Sequence, residues 1–179
     1  VTPTTHSSEY SVSEGIIKVF ADVLAKGNIR AEDVIFVAHS TTQATNAILE
    51  GDVAKVGIIG MGKGLESIKA KADTSIPDIE LTEGKYLHTA YVYLDSSVED
   101  LKNQALKAID KLKNQGCTVI IASEAFSVDN ATNEDLLTSW IEESDIPATS
   151  SHEISQLYGL RIRTRTAVVN ASILPKMTQ

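Results

Sequence analysis

The sequence predicts an α/β fold in which a mixed, mostly parallel sheet is flanked by helices. Short apolar runs rich in β-branched residues, at 34–38, 55–60 and 118–122, alternate with longer segments of helical periodicity. The links between these segments are short, as in repeated strand–helix–strand units. The apolar runs are also nearly uninterrupted, which is typical of parallel strands covered on both faces.

The first third of the chain is predicted to hold two helices and two strands. Residues 1–12 are polar and include Pro3, so we expect an extended segment. Ser13 is a plausible N-cap for the helix that follows, and Gly27 and Gly51 mark helix ends. In chain order the elements are a helix over 16–24, a strand over 34–38, a helix over 43–49 and a strand over 55–60.

The rest of the chain continues the predicted alternation of strands and helices. The glycines of Gly60–Gly64 lack the spacing of a Walker phosphate loop, and a plain strand-to-helix turn is the favoured interpretation. The predicted elements are a short helix over 65–72, a loop over 73–84, a strand over 86–94, a helix over 98–112 capped by Ser96 or Ser97, a strand over 118–122, a helix from Asn130 or Thr132 through Ile141, an extended segment over 146–150, and a helix over 163–174 stopped by Pro175.

Composition limits the classes of function. A chain of 179 residues with 42% hydrophobic content fits a single α/β domain over residues 1–179. The net charge of −8 argues against nucleic acid or an anionic membrane as partner. The single cysteine, Cys117, excludes an internal disulfide and a cysteine-based zinc cluster, and a buried structural thiol is expected. Without a signal peptide or a membrane-length apolar run, a cytoplasmic location is the default expectation.

A polar turn at residues 39–42 is the most distinctive feature. It follows the predicted strand at 34–38 and precedes the helix at 43–49, whose unpaired N–H groups suit an anion or a polarised carbonyl. Helix capping alone needs only one of these side chains. Six polar residues fall within eight positions, namely His39, Ser40, Thr41, Thr42, Thr45 and Asn46.

Two segments resemble the hydantoinase/oxoprolinase family. His39–Thr42 followed by Ala44–Glu50 resembles its HGTT-x-ATNALLE stretch, and Lys55–Ile59 follows at the spacing of its next strand. Near the C-terminus, Ser150–Ile154 and Arg165–Pro175 resemble its SxEI…RTxTxVVNAYLxP segment. The resemblance implies the N-terminal domain of such a protein, with one lobe of an actin-like ATPase (ribonuclease H-like) fold.

The resemblance also implies a function. Enzymes of this family open a cyclic amide and use ATP with Mg²⁺ to activate a carbonyl oxygen. The implied partners are a small cyclic amide and either the rest of the same polypeptide or a hydantoinase B-like subunit. The implied catalytic residues are His39 and Glu153, with His152 near the cleft between lobes. The implied substrate- or nucleotide-binding residues are Ser40, Thr41, Thr42, Thr45, Asn46, Arg165 and Thr166, and no metal-ligating residue is assigned.

Departures from the family pattern keep a second hypothesis open. The upstream DxGGT-like phosphate loop is absent from a chain that begins at Val1, so we expect a fragment that is inactive alone. Ser40 replaces the family's glycine after histidine, and the 65–85 region is short. A non-catalytic interaction or regulatory domain that retains the fold is the alternative.

Other polar residues have two interpretations. Glu124 follows a predicted strand and can be a metal ligand, a base or a solvated turn residue. His88 is expected to be a surface or strand-packing histidine. Arg161, Arg163 and Arg165 lie near a helix start, where the dipole disfavours cations. They either bind an acidic group, a phosphate or another subunit, or form a solvated basic face.

Overall fold

The computed structural model describes residues 11–34 and 43–177. The chain divides into two compact units, residues 1–41 and 42–179, so a single domain over 1–179 stays a prediction. The first unit holds helix α1 (Ser11–Gly27) and a single 3₁₀ turn at Ala31–Asp33. Helix α1 confirms the predicted helix but begins two residues before Ser13. The predicted strand at 34–38 lies, beyond Val34, outside the described residues.

The second unit confirms the α/β class. Its strands are β1 (Val56–Gly62), β2 (Ile79–Thr82), β3 (Lys85–Leu87), β4 (Thr89–Asp95), β5 (Val119–Glu124) and β6 (Ala148–Ser150). Its helices are α2 (Gln43–Glu50), α3 (Ser67–Thr74), α4 (Leu101–Asn114), α5 (Thr132–Glu142), α6 (Ser151–Ile154), α7 (Leu160–Ala171) and α8 (Leu174–Met177). A parallel four-stranded sheet runs in the order β4-β1-β5-β6, and β2 and β3 form a separate antiparallel pair.

The sheet is covered on both faces, as its apolar strands predict. Alternate residues of β1 point to opposite sides. Ile59 and Met61 pack with α4 and α5, and Val56 and Ile58 pack with α7. Strand β1 is buried along its whole length. The buried Cys117 belongs to the α4–α5 core, and this burial raises the pKa of its thiol.

The 73–84 region is not simply a loop. Residues Ile79–Thr82 form β2, which pairs with β3, because Ile79 and Leu87 both bury their side chains in the α7-side core. The predicted strand at 86–94 is in fact β3 and β4, separated at His88. Asp78 accepts hydrogen bonds from the Thr89 N–H at 2.8 Å and contacts His88 Nδ1 at 2.6 Å, which fixes the break. His88 is exposed, as expected.

Three helix ends also differ from the predictions. Helix α4 begins at Leu101, so neither Ser96 nor Ser97 caps it; Ser97 instead donates to the Asp95 carboxylate. Helix α7 begins at Leu160, three residues earlier than predicted, and ends at Ala171. Pro175 lies in the separate turn α8. Helix α5 begins at Thr132, one of the two predicted starts.

Candidate functional site

The candidate site lies at the carboxyl edge of the parallel sheet. From β1 the chain passes through α3 towards β4, whereas from β5 it passes through α5 towards β6 on the other side. The connections therefore diverge between β1 and β5. In open α/β sheets, ligands bind in the crevice at such a point.

Glu134, on the first turn of α5, is the centre of a buried polar network. Its side chain is 0% exposed, and its carboxylate oxygens accept four hydrogen bonds. Oε1 accepts from the Glu124 N–H at 2.6 Å and from Ser151 Oγ at 2.7 Å. Oε2 accepts from the His152 N–H at 3.0 Å and from His152 Nδ1 at 2.8 Å. One carboxylate thus ties α5 to the ends of β5 and β6.

Arg163, on α7, is the buried cation of the same network. It is 1% exposed, and it donates to the Glu124 carbonyl oxygen at 2.8 Å, Ser127 Oγ at 3.0 Å and the Leu157 carbonyl oxygen at 2.8 Å. Its Nε donates at 3.0 Å to Ser151 Oγ, which links it to Glu134. Burial lowers the pKa of this guanidinium, and the charge of Glu134 opposes that shift. An unpaired charge buried here would be costly, so the two residues depend on each other.

The network fixes the segment that follows β5. Arg163 holds both Glu124 and Ser127, and Phe126 lies between them with a φ of +63°. Residues with a β-carbon rarely adopt this left-handed conformation, and surrounding structure must hold them in it. Phe126 is nevertheless 59% exposed. A strained, exposed aromatic residue at a strand end is a feature that packing of the core does not explain.

An open cleft of about 400 Å³ lies beside this segment, between α3 and the start of α7. We call it the α3–α7 cleft, and its side chains include Glu66, Lys69, Asp73, Phe126, Tyr158 and Arg161. Tyr158 Oη donates to Asp129 Oδ1 at 2.9 Å, and this hydrogen bond raises the pKa of the phenol. The volume is within the range of small-molecule sites.

His152 is the imidazole at this edge. Its Nδ1 faces the buried Glu134 at 2.8 Å, and its Nε2 lies 3.4 Å from the exposed Asp135. Because the carboxylate of Glu134 only accepts, Nδ1 carries the proton and Nε2 is left to accept or donate towards solvent. An oriented imidazole of this kind can serve as a general acid or base.

Within the described part of the chain, no hydrogen bond joins the sequence-predicted site residues to one another. His39, Ser40, Thr41 and Thr42 lie outside the described residues. Thr45 and Asn46 are exposed on α2, whose C-terminal end contacts the β2–β3 hairpin through Thr82 Oγ1 and the Leu49 carbonyl oxygen. That hairpin precedes β4, at the amino edge of the sheet. The described residues show no hydrogen bond from Thr45 or Asn46 to the Glu134 network.

The C-terminal candidates are on the surface. Glu153 is exposed on α6, next to the network but not in it. Arg165 and Thr166 are exposed on α7, where Thr166 Oγ1 donates to the Ile162 carbonyl oxygen. Their proposed roles stay predictions. An acidic group was one of the partners expected for these arginines, and Arg163 does bind the network of Glu134. Arg165 is on the exposed face.

Sequence reasoning missed Glu134, and it named Arg163 only as one of three arginines with two open interpretations. The quoted pattern RTxTxVVNA also fits residues 163–171, and in that register its first two residues are Arg163 and Thr164, both buried. The helical phase gives the same signal, since Arg163 and Thr164 lie one turn before the buried Ala167 and Val168. A carboxylate directly after a strand, such as Glu124, is usually a solvated turn residue. It is instead 5% exposed, and its Oε1 accepts from Asn133 Nδ2 at 3.0 Å.

Two kinds of feature are absent from the described residues. Across residues 11–34 and 43–177, no three histidine, cysteine, aspartate or glutamate side chains are grouped as metal ligands. Within the same ranges, no helix combines the length and hydrophobicity needed to cross a bilayer.

Comparison with known proteins identifies a family model that matches most of the chain. The model describes the hydantoinase/oxoprolinase N-terminal region, and it matches residues 2–144. The segment at 150–175 lies beyond this match. No curated protein matches the chain.

Solved structures share the fold. The crystal structure of an ATP-dependent caprolactamase from Pseudomonas jessenii aligns with 99% of the chain at 21% identity and a TM-score of 0.63. A nucleotide-free acetone carboxylase, from work on ATP-dependent acetone carboxylation, aligns with 94% at 18% identity and a TM-score of 0.63. The chain spans 28% of the length of each of these proteins.

Proposed function

The chain belongs to the hydantoinase/oxoprolinase family, whose N-terminal region it matches over residues 2–144, and from this membership we propose that it is the N-terminal domain of an ATP-dependent enzyme acting on a cyclic amide. The family match is the observation that carries the proposal. It is supported by the fold shared with two proteins whose descriptions name ATP-dependent reactions. A hydrolase of the hydantoinase or oxoprolinase type, located in the cytoplasm, is the finer form of the proposal.

The proposed place of the nucleotide is the start of α2. ATP with Mg²⁺ would supply the activation of the amide carbonyl oxygen. Helix α2 begins at Gln43, directly after residues 39–42, for which the sequence predicts a polar turn, and its first N–H groups suit a phosphate. Thr45 and Asn46 are exposed in its first turn and are free to contact such a group. The family resemblance adds Ser40, Thr41 and Thr42 as phosphate contacts and His39 as a catalytic residue.

The proposed place of the amide is the carboxyl edge of the sheet. The resemblance assigns Glu153 as a catalytic residue and Arg165 and Thr166 as binding residues. The structure adds a neighbour suited to proton transfer, because His152 is oriented by Glu134 through Nδ1. The rest of the polypeptide, or a hydantoinase B-like subunit, would complete the amide site and place the amide next to the nucleotide.

The alternative is a non-catalytic interaction or regulatory domain. Ser40 favours it, because a side chain where the family has glycine narrows the space for a phosphate. The short 65–85 region favours it as well. Fold alone does not decide between an enzyme and a binding module.

Calorimetry with Mg-ATP tests the proposal. We expect the complete gene product to bind ATP and the double variant His39→Ala/Thr42→Ala to lose at least tenfold in affinity. The matched control is His88→Ala/Thr118→Ala, which removes the same residue types from exposed positions at the starts of β4 and β5. No ATP binding by the complete protein would overturn the enzyme proposal in favour of the interaction domain. Equal losses in both double variants would overturn the assignment of the turn.

A further inference from the structure

We propose that the outer edge of strand β4 pairs with β4 of a second copy of this chain, so that two four-stranded sheets join into one. The inference goes beyond the proposed function and does not depend on ATP. It is drawn from the free backbone of this edge, from the lack of features that block strand pairing, and from the near-symmetric sequence of the strand.

Strand β4 forms one edge of the sheet. It pairs in parallel with β1 over seven residues, and across residues 11–34 and 43–177 no strand pairs with its other side. The side chains of β1 and β5 are all buried, whereas most of those of β4 are only half-buried. Among them, Ala90 and Val92 pack against the α4–α5 core and remain partly open to water. A strand added outside β4 would remove them from water, which favours association.

The even-numbered residues of β4 and its flanks direct their backbone groups towards β1. At one end, the His88 carbonyl oxygen accepts from the Val56 N–H at 3.0 Å. At the other end, the Ser96 N–H donates to the Gly62 carbonyl oxygen at 3.1 Å. Because backbone groups alternate in direction along a strand, the odd-numbered residues of β4 point theirs away from β1.

The outward backbone groups are free in the middle of the strand. At its start, the outward N–H of Thr89 already donates to Asp78 Oδ1 at 2.8 Å. For Tyr91 and Tyr93, no strand or side chain of the described residues bonds the outward groups. Their rings lean inwards, since each hydroxyl lies 3.0 Å from the position that a Cβ would take on a glycine of β1. The edge is therefore unobstructed where pairing would be centred.

The edge also lacks the features that usually prevent strand addition. Natural edge strands are kept short, or carry lysine, proline or a bulge. The opposite edge of the sheet, β6, has only three residues. Strand β4 has seven residues, contains no lysine or proline, and pairs with β1 without a break in register. An uninterrupted edge of this kind is a template for another strand.

The sequence of β4 favours a second copy as the partner. Its residues, Thr-Ala-Tyr-Val-Tyr-Leu-Asp, read nearly the same in both directions from Val92. An antiparallel pair centred on Val92 sets Tyr91 opposite Tyr93 of the second copy, and the outward N–H and carbonyl groups of both then face each other. The ends set Thr89 opposite Asp95, so no like charges meet. The same register gives full overlap of the two strands and correct pairing of their free backbone groups.

This register places the two Val92 residues together at the two-fold axis. In a non-hydrogen-bonded antiparallel pair the Cα atoms lie about 4.5 Å apart, which a disulfide can span. Ala90 is on the same face of β4 but lies opposite Leu94 of the second copy. A cysteine at residue 92 can therefore bond to its own copy, whereas a cysteine at residue 90 cannot.

Oxidation of the Val92→Cys and Ala90→Cys variants of the complete gene product tests the proposal. We expect Val92→Cys to give a dimer linked through residue 92, identified by mass spectrometry of the linked peptide, and Ala90→Cys to give at least tenfold less. Adding Tyr93→Pro to Val92→Cys is expected to abolish the link, because proline removes an outward N–H and no hydrogen bond to β1. Tyr93→Phe is the matched control, which retains the link.

Hydrogen exchange of the wild-type protein provides a test that needs no variant. We expect the amides of Tyr91 and Tyr93 to exchange at least threefold more slowly at about 500 µM than at about 5 µM protein, since small interfaces of this kind are weak. The amides of Val92 and Leu94 bond to β1 and are expected to be equally protected at both concentrations.

Several results would overturn the inference. Equal linking of the two cysteine variants, or a link that survives Tyr93→Pro, would exclude the register. Equal protection of Tyr91 and Tyr93 at both concentrations would show that another segment of the same protein pairs with β4. Exchange of these amides without protection at either concentration would show a free edge. Circular dichroism spectra confirm that the variants are folded, and the wild-type exchange decides if Tyr93→Pro is not.

Discussion

Glu134 holds His152 twice, through the backbone N–H at 3.0 Å and through ring Nδ1 at 2.8 Å. The same carboxylate accepts from the Glu124 N–H and from Ser151 Oγ. Two strand ends and one imidazole are thus positioned by a single buried anion. Its charge is balanced by Arg163 across the shared Ser151 hydroxyl.

Replacing Glu134 with glutamine is expected to destabilise the protein by about 2–4 kcal/mol. The amide NH₂ would face donors that now meet a carboxylate oxygen, and Arg163 would lose its counter-charge. Urea unfolding followed by circular dichroism measures the loss. Glu142→Gln is the matched control on the exposed face of α5, and we expect it to cost less than about 0.5 kcal/mol. Similar losses for the two variants would contradict the central role of Glu134.

Two arginines of α7, two residues apart, are expected to differ in how much stability the same substitution costs. Arg163→Lys is expected to cost about 2–4 kcal/mol, because an ammonium cannot reach the four acceptors that the guanidinium binds. Arg165→Lys, on the exposed face, is expected to stay within about 0.5 kcal/mol of wild type. Thermal unfolding of both variants measures the difference. A large loss of stability for Arg165→Lys would show that Arg165, and not Arg163, is the buried arginine of α7.

The regular elements were predictable because their periodicity is local. The apolar runs of β1 and β5 and the apolar stripe of α4 identify strands and helix wherever they sit in the fold. The β2–β3 hairpin was missed because residues 73–84 contain Pro77 and several acids, and only the burial of Ile79 against distant strands makes the segment extended. Tertiary contacts stabilise this hairpin, so no local sequence pattern predicts it.

The network was missed for a different reason. Glu134 lies in a Thr-Asn-Glu-Asp first turn, where acidic residues usually face solvent and favour the helix dipole. Nothing in that turn distinguishes the buried Glu134 from the exposed Asp135. Arg163 was within reach, since extending the Ala167–Ala171 stripe back by one turn places it inside. The predicted helix already included Arg163, but its arginines were interpreted from the helix dipole rather than from the phase of the apolar stripe.

The close approach of α3 to the sheet depends on Gly60. A Cβ at Gly60 would overlap Thr74 Oγ1 and lie 2.7 Å from Thr74 Cβ. Thr74 is fully buried and bonded to Tyr91 Oη at 2.9 Å, so it has little room to move. Gly60→Ala is therefore expected to cost about 1–3 kcal/mol through overpacking. Gly159→Ala is the control, since its Cβ would meet nothing closer than 3.7 Å. Equal unfolding midpoints in urea would refute the close contact.

The last prediction concerns acid stability at the β3–β4 break. The Thr89 N–H, followed by the His88 side chain, lowers the pKa of Asp78 below its ordinary value of 3.8. A carboxyl group with a lowered pKa in the folded state stabilises the protein above its unfolded value and loses that contribution as pH falls through the folded value. Asp78→Asn keeps an oxygen for the Thr89 N–H and replaces the charged oxygen that contacts His88 Nδ1 with an uncharged amide NH₂.

We therefore expect Asp78→Asn to lower the melting temperature at pH 7, by an amount that corresponds to less than about 1 kcal/mol because the pair is partly solvated. The difference from wild type is expected to shrink below pH 4 and to vanish once Asp78 is protonated. Asp110→Asn, an exposed change on α4, is expected to give no such trend. Melting curves from pH 3 to 7 provide the measurement. A difference that grows as the pH falls below 4 would have the opposite sign and would exclude the stabilising role of the Asp78 charge.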